Sequence, residues 1–463
     1  MLRDSYEKDK FFMKIIRLTT QMEPVLAQID QLLEDEAIFQ MVKMDLSKRY
    51  ALTTVTGRNS TPVEVILRML VVRRLYGFSY EKTEYHVRDS LVLRQFCRVY
   101  LNDVPDDTTL IKWANLIQPE TLEQLNLRVT ELAKALKVTR GRKLRTDGTV
   151  VESNIHVPSD SSLLADSVRV IGRTLRKAKV VLVDSTDLAQ KVFRNRVRSA
   201  KRTARQIGEA MSKRSQAARA RGIKAYQKLV KITQQSVVQA KQVMIALKEN
   251  ASAQAQQLVE TLETFIPRVE TVIDQTVRRV FEDEKVPACE KLVSIFEPHT
   301  DIIYRSKGAP RFGHKVWLDE VDGGIISSYR VLEGNPNDKT QWQPSLERHV
   351  EIFDKPPDQA SADRGVYSQS NEDNAKELGV KRVVLPKPGY KSKVRRAHEK
   401  QAWFKRGRRW HNGVEGRISV LKRAHGLRRC LDHGHPGFER WVGWGVISGN
   451  LAVIGRSVAD RSR

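Results

Sequence analysis

Residues Leu144–Asp160 read LRTDGTVVESNIHVPSD. The Val and Thr side chains around Asp147 favour an extended strand, whereas aspartate is depleted from strands. Asp147 therefore needs a reason to be there, with Gly148 behind it and Arg145 two places before it. Strand periodicity puts Asp147, Thr149 and Val151 on one face and Val150 and Glu152 on the other. Glu152 cannot join Asp147 in one site on a regular strand, so any partner of Asp147 must come from elsewhere in the chain.

After this strand the character changes. Residues 166–300 are dominated by Ala, Gln, Lys, Arg, Val and Leu, a composition that favours long helices. Thirteen Lys/Arg and a single acid, Glu209, fall within 191–230. Such a run is either a solvated helix face or a surface for phosphates. Self-repulsion favours the second, with Arg194, Arg198, Lys201, Arg202 and Arg205 as the candidate contacts.

From Phe312 the period returns to two. FGHKVWLDEVDGGIISSYRVLEG reads as two strands around Asp322-Gly323-Gly324, a hairpin signal. A helix (QWQPSLERHVEIF), a short extended piece ending at Asp363, a short helix near Asn371–Leu378, a strand (KRVVLP) and a helix through WHNGVEGRISVLKRAHG follow. The predicted fold is α/β, a mixed sheet of ribonuclease-H-like order, split by the helical insert between its first and second strands. Residues 1–137 read as an all-α N-terminal domain that precedes it. There, Thr61, Pro62 and Glu64 predict a capped helix start, and Ser79 and Pro105 mark two more. Three short helices resemble a helix-turn-helix unit, a pattern shared with ordinary packing modules. The expected divisions are 1–137, a candidate DNA-binding domain, 138–165 and 301–463 for the two parts of the sheet domain, and 166–300 for the insert.

The chain has 463 residues and a formal net charge of +26, with 81 Lys plus Arg against 55 Asp plus Glu. That excess calls for a polyanionic partner, most simply nucleic acid, here expected to be double-stranded DNA, or else an acidic membrane surface. Its three cysteines are far apart, odd in number and form no C-x-x-C pair, so they support neither a disulfide framework nor a zinc finger and fit a reducing, cytoplasmic location; the expected location in full is cytoplasmic and nucleoid-associated. The most apolar stretch, Arg440–Gly455, is shorter than a bilayer span and contains Ser448 and Asn450, so it predicts a buried helix rather than a membrane segment.

Three acids stand out by placement: Asp147 in the first strand, Asp363 at the end of a later one, and Glu415 in a helix. Glu415 lies in a region, 376–429, with eighteen Lys/Arg and three acids, where an isolated carboxylate can be merely an ion-pair partner. Carboxylates gathered in a basic protein otherwise point to Mg²⁺ or Mn²⁺, held with phosphates and water. Two such ions support phosphoryl transfer.

TDGTVVESNIHVPSDSSLL, RFGHKVWLDEVDGG, SADRGVYS and WHNGVEGRISVLKRAHGLRRC resemble, in order, the catalytic blocks of bacterial insertion-sequence transposases with a DDE triad. The long insert is similar to that of an ISNCY-like subgroup. The resemblance implies Asp147, Asp363 and Glu415 as catalytic and metal-ligating residues, two divalent ions, and a homodimer on DNA. Glu415 and Lys422 reproduce an E-x6-K spacing, two helical turns or roughly 10 Å apart on one face. Lys422, Arg408, Arg409, Arg417 and Arg423 are then expected to face DNA. Where family members often carry Tyr and Arg, this chain has Arg408 and His411. The implied activity is cutting at element ends and joining them to target DNA. A nuclease that does not join strands, and a DNA-binding regulator without catalysis, remain open alternatives.

Overall fold

A computed structural model describes residues 1–19, 21–182, 194–304 and 308–461. The chain is α/β and divides into two compact units, Met1–Asn154 with His314–Arg463, and Ile155–Gly313. Among the described residues of the first unit, eight helices precede the sheet: α1 (Lys10–Thr19), α2 (Pro24–Leu32), α3 (Glu36–Ser47), α4 (Val63–Leu75), α5 (Tyr80–Asp89), α6 (Leu91–Phe96), α7 (Asp107–Ala114) and α8 (Pro119–Ala135). Strand β1 (Lys143–Glu152) follows.

The N-terminal helices start largely where the sequence marks them, with one instructive exception. Ser79 and Asp106 cap α5 and α7 by accepting N–H bonds from Lys82 and Thr109. Helix α4, however, begins at Val63 with Pro62 as its N-cap and no side-chain cap. Thr61 does not cap it, and Glu64 instead pairs with Arg68 and Arg98. Residues 65–74 of α4 are all buried. A helix covered on every side is a core helix.

The second unit contains α9 (Asp160–Leu182), α10 (Val197–Met211), α11 (Gln216–Lys248) and α12 (Ala253–Val280). Ile171, Leu175 and Leu182 of α9 share a core with Val237, Val243 and Leu247 of α11 and Leu258, Leu262 and Ile266 of α12. A short strand, β2 (Asp301–Ile303), pairs antiparallel with Arg311–Gly313, the first residues of β3 (Arg311–Val321).

Strand β3 continues into the first unit, where it turns at Gly323 and Gly324, both with positive φ, into β4 (Ile325–Leu332). Then come α13 (Trp342–Phe353), β5 (Gln359–Ser361), α14 (Gln369–Glu377), β6 (Arg382–Val384), α15 (Lys393–Lys400), α16 (Ala402–Ala424) and α17 (Gly434–Arg461). The six-stranded sheet has the order β2-β3-β1-β5-β6, with β4 also on β3. β1, β5 and β6 are mutually parallel. Asp322 donates its N–H to Lys143 O, and Gly148 lies against Trp317, so β3 runs antiparallel to β1. The sheet is mixed, as its sequence pattern predicts.

One apolar core joins N-terminal helices, sheet and α17: Ile66, Leu70, Leu125, Leu144, Trp317, Trp342, Trp444 and Leu451 belong to a single cluster. The apolar stretch at Arg440–Gly455 lies within α17, and among the described residues no helix is long and apolar enough to cross a membrane. Its Asn450 explains why a polar residue sits there. The side chain donates to Ile326 O and Asn126 Oδ1 and accepts from Ile326 N, tying α17 to β4 and α8.

Candidate functional site

The site begins with strand register. β1 and β5 pair in parallel with Arg145 opposite Ser361. Two residues further along each chain stand Asp147, midway along β1, and Asp363, just past the end of β5, so the register carries them abreast. Adjacent strands are about 4.8 Å apart, and the carboxyl end of β5 is the kind of place where open α/β sheets put their ligand sites. The parallel pairing therefore brings together two acids that are 216 residues apart in sequence.

Each aspartate is oriented by the backbone. Asp147 Oδ1 accepts the N–H of Gly148 at 2.7 Å. Asp363 Oδ1 accepts from Gly365 at 2.8 Å and Val366 at 3.3 Å, a turn that fixes the carboxyl just beyond β5. Gly148 has a further role. A Cβ there would stand 3.1 Å from Lys315 Cε and 3.2 Å from Trp317, so glycine lets the β3 side chains cross the strand beside Asp147.

Electrostatics couples these groups across the site. Burial pushes the Asp147 carboxyl up to about 7, and Asp363, Asp338 and Glu415 add like-charge repulsion. Asp363 is raised too, by desolvation and then by Asp338, although the residue is exposed overall. Asp338 and Lys315 escaped the sequence reading. Asp338 opens the turn after β4 and pairs with Lys315, whose ammonium also donates to Pro336 O at 2.9 Å. The one available signal was a lysine inside the apolar run FGHKVWL; nothing in the sequence marks Asp338. Among the described residues, no three His, Cys, Asp or Glu side chains are gathered closely enough to hold a metal ion.

Glu415 comes from α16, which packs on β1, β5 and β6. It is exposed, Lys422 is partly exposed, and Arg408, Arg409 and Arg423 are exposed. Arg417 is not at the surface, against expectation. It is 9 % exposed, donates to Asn450 Oδ1 at 3.2 Å, and burial lowers its pKa to about 10. Val414, Arg417 and Leu421 lie three and four residues apart and form the inward face of α16. Spacing alone could have placed Arg417 there. His411 is buried on the same helix, and burial reinforced by the Arg145 charge lowers its pKa to about 4.

Within the second unit, Arg194, Arg198, Lys201, Arg202 and Arg205 are all exposed, on α10 and just before it. Cys430 is buried beside Asp432 O, and Trp441 and Trp444 are core residues.

Residues 15–116 match the family described as Transposase domain (DUF772). That region runs from α1 to α7. No curated protein and no solved structure matches the chain significantly.

Proposed function

We propose that this protein is a DNA transposase of ribonuclease-H-like architecture that cuts at the ends of an insertion sequence and joins them to target DNA. The observation that carries this reading is the register that sets Asp147 abreast of Asp363, with Glu415 close enough to act on the same carboxyl. The match of residues 15–116 to a transposase domain supports it independently. So does a net charge of +26, which suits a phosphate backbone.

Asp147, Asp363 and Glu415 would hold Mg²⁺ or Mn²⁺. The donor set fits: carboxylate oxygens are the hard ligands these ions take, and a cation would favour the charged form of Asp147, which burial and then like-charge repulsion oppose. Such ions, when bound, polarise the phosphoryl group and neutralise charge on the attacking and leaving oxygens. The chain's own groups do the rest. The backbone N–H groups of Gly148, Gly365 and Val366 orient the two aspartate carboxyls. Convergence of the three acids needs the exposed Glu415 side chain to swing toward them. Lys422, Arg408, Arg409 and Arg423 bind phosphates flanking the cut, and Lys422 acts as a point charge that sets the end in place. We assign a homodimer on DNA, because two element ends must be cut.

Incubating the protein with Mg²⁺ and DNA carrying the element ends tests this. Nicks at the ends and strand-joined products are expected. Nicks without joining would make the protein a nuclease, and metal-independent binding without nicks would make it a regulator.

The insert gives a separate test. Replacing Arg194, Arg198, Lys201, Arg202 and Arg205 by alanine is expected to weaken DNA binding and to flatten its salt dependence. Each lost phosphate contact lowers the slope of log K against log salt by about one. An unchanged slope would leave the run a solvated face.

A further inference from the structure

Arg145 shares a strand face with Asp147, two residues away. Its guanidinium is almost enclosed, and so is Glu320 on the neighbouring strand, at 11 % and 2 % side-chain exposure. The two meet as a fork: Nε to Oε2 at 2.8 Å and Nη2 to Oε1 at 2.5 Å. That leaves Nη1, which donates to the carbonyl of Trp410 inside α16, while the guanidinium plane lies 4.8 Å from the Trp410 ring. One turn on, Gly413 lets the helix pass the arginine. A Cβ there would stand 2.5 Å from Nη1. Glu415 is two residues beyond Gly413. On the far side of Glu415, Arg417 of the same helix is buried toward Asn450 and is favoured by the Glu320 charge.

We propose that Arg145, locked by Glu320, is the positioning residue that fixes α16, and with it Glu415, relative to Asp147. The inference rests on the triad reading above. A bidentate arginine cannot rotate without breaking two charge-assisted bonds in a buried setting, so its third contact is held at a fixed height over β1. Lysine at this position retains charge but loses the fork. The contact to α16 is made to a backbone carbonyl, so it places the helix rather than any one side chain.

Two variants separate positioning from simple stability. Arg145→Lys removes the fork. Gly413→Ala keeps every charge but pushes α16 off the guanidinium, and alanine is otherwise the better helix former at an exposed helical site. The probe is Mn²⁺ binding to the full-length protein without DNA, followed by electron paramagnetic resonance. Thermal unfolding and amide hydrogen exchange of the metal-free protein are measured alongside. Both variants are expected to bind Mn²⁺ about 10–100-fold more weakly, the range typical when support behind a metal ligand is lost. Exchange across Trp410–Glu415 should quicken, and Gly413→Ala should melt only slightly lower than the parent protein, its added Cβ displacing the guanidinium while every charge is kept. The double variant should bind no more weakly than the worse single, because both break one contact. Unchanged Mn²⁺ affinity in both variants, with the parent protein binding normally, overturns the proposal. A parent protein that binds no Mn²⁺ overturns the triad reading itself, and this inference with it.

Discussion

Asp363→Asn is expected to reduce cleavage of element ends by more than about a hundredfold while leaving DNA affinity and thermal stability close to those of the parent protein. Loss of a group that merely supports a metal ligand costs about 10–100-fold, so loss of a ligand's charge should cost more. The amide oxygen of asparagine can still accept the N–H groups of Gly365 and Val366, so the turn beyond β5 is preserved. The substitution also removes a like charge from the neighbourhood of Asp147, whose carboxyl Asp363 pushes upward. Its folded state should therefore be no less stable near neutral pH. Measuring cleavage, filter binding and thermal unfolding on one preparation checks all three. Cleavage within about tenfold of the parent would remove Asp363 from the site.

Arg68→Ala is expected to destabilise the unit that holds the sheet by about 3–5 kcal/mol, lowering its melting temperature by about 10 °C. Arg68 is fully buried in α4. It pairs with Asp30 at 2.6 Å and Glu64 at 3.1 Å, and also donates to Phe96 O. Alanine leaves these carboxylates facing Arg98 alone and opens a void in a helix buried on every side. Removing one member of a buried ionic network strands the others, whereas replacing both partners by apolar groups can be nearly neutral. The double variant Arg68→Met with Asp30→Leu should thus recover much of the loss, since Arg98 still pairs with Glu64 and Glu34. A melting temperature for Arg68→Ala within about 2 °C of the parent would mean that α4 is not a core element.

Much of this was readable from residue order because the signals are local. An aspartate among β-branched residues marked Asp147, and Asp-Gly-Gly between two alternating runs marked the β3–β4 turn. Switching from helical to strand periodicity at Phe312 marked the return to the sheet. What could not be read is set by tertiary contact. Arg145 and Glu320 are 175 residues apart and meet only because β3 runs antiparallel to β1. Asp338 reaches the site from a turn with no periodicity of its own. The burial of α4 on every side could not be read for a related reason. Its capping signals describe how a helix starts, not how many faces its neighbours cover. Arg417 was misplaced because charge was weighed above spacing, and its burial is offset by Asn450 and Glu320, neither of which lies near it in sequence.

Whether Asp147, Asp363 and Glu415 share a divalent cation is most directly tested by iron-mediated cleavage of the polypeptide itself. Fe²⁺ loaded in place of Mg²⁺, with ascorbate and peroxide, generates radicals that cut the backbone beside the ions' ligands. Fragments ending near positions 147, 363 and 415, suppressed together by excess Mg²⁺, are the expected result. Cuts confined to other positions, or cuts at these three that Mg²⁺ does not suppress, would contradict a shared metal site.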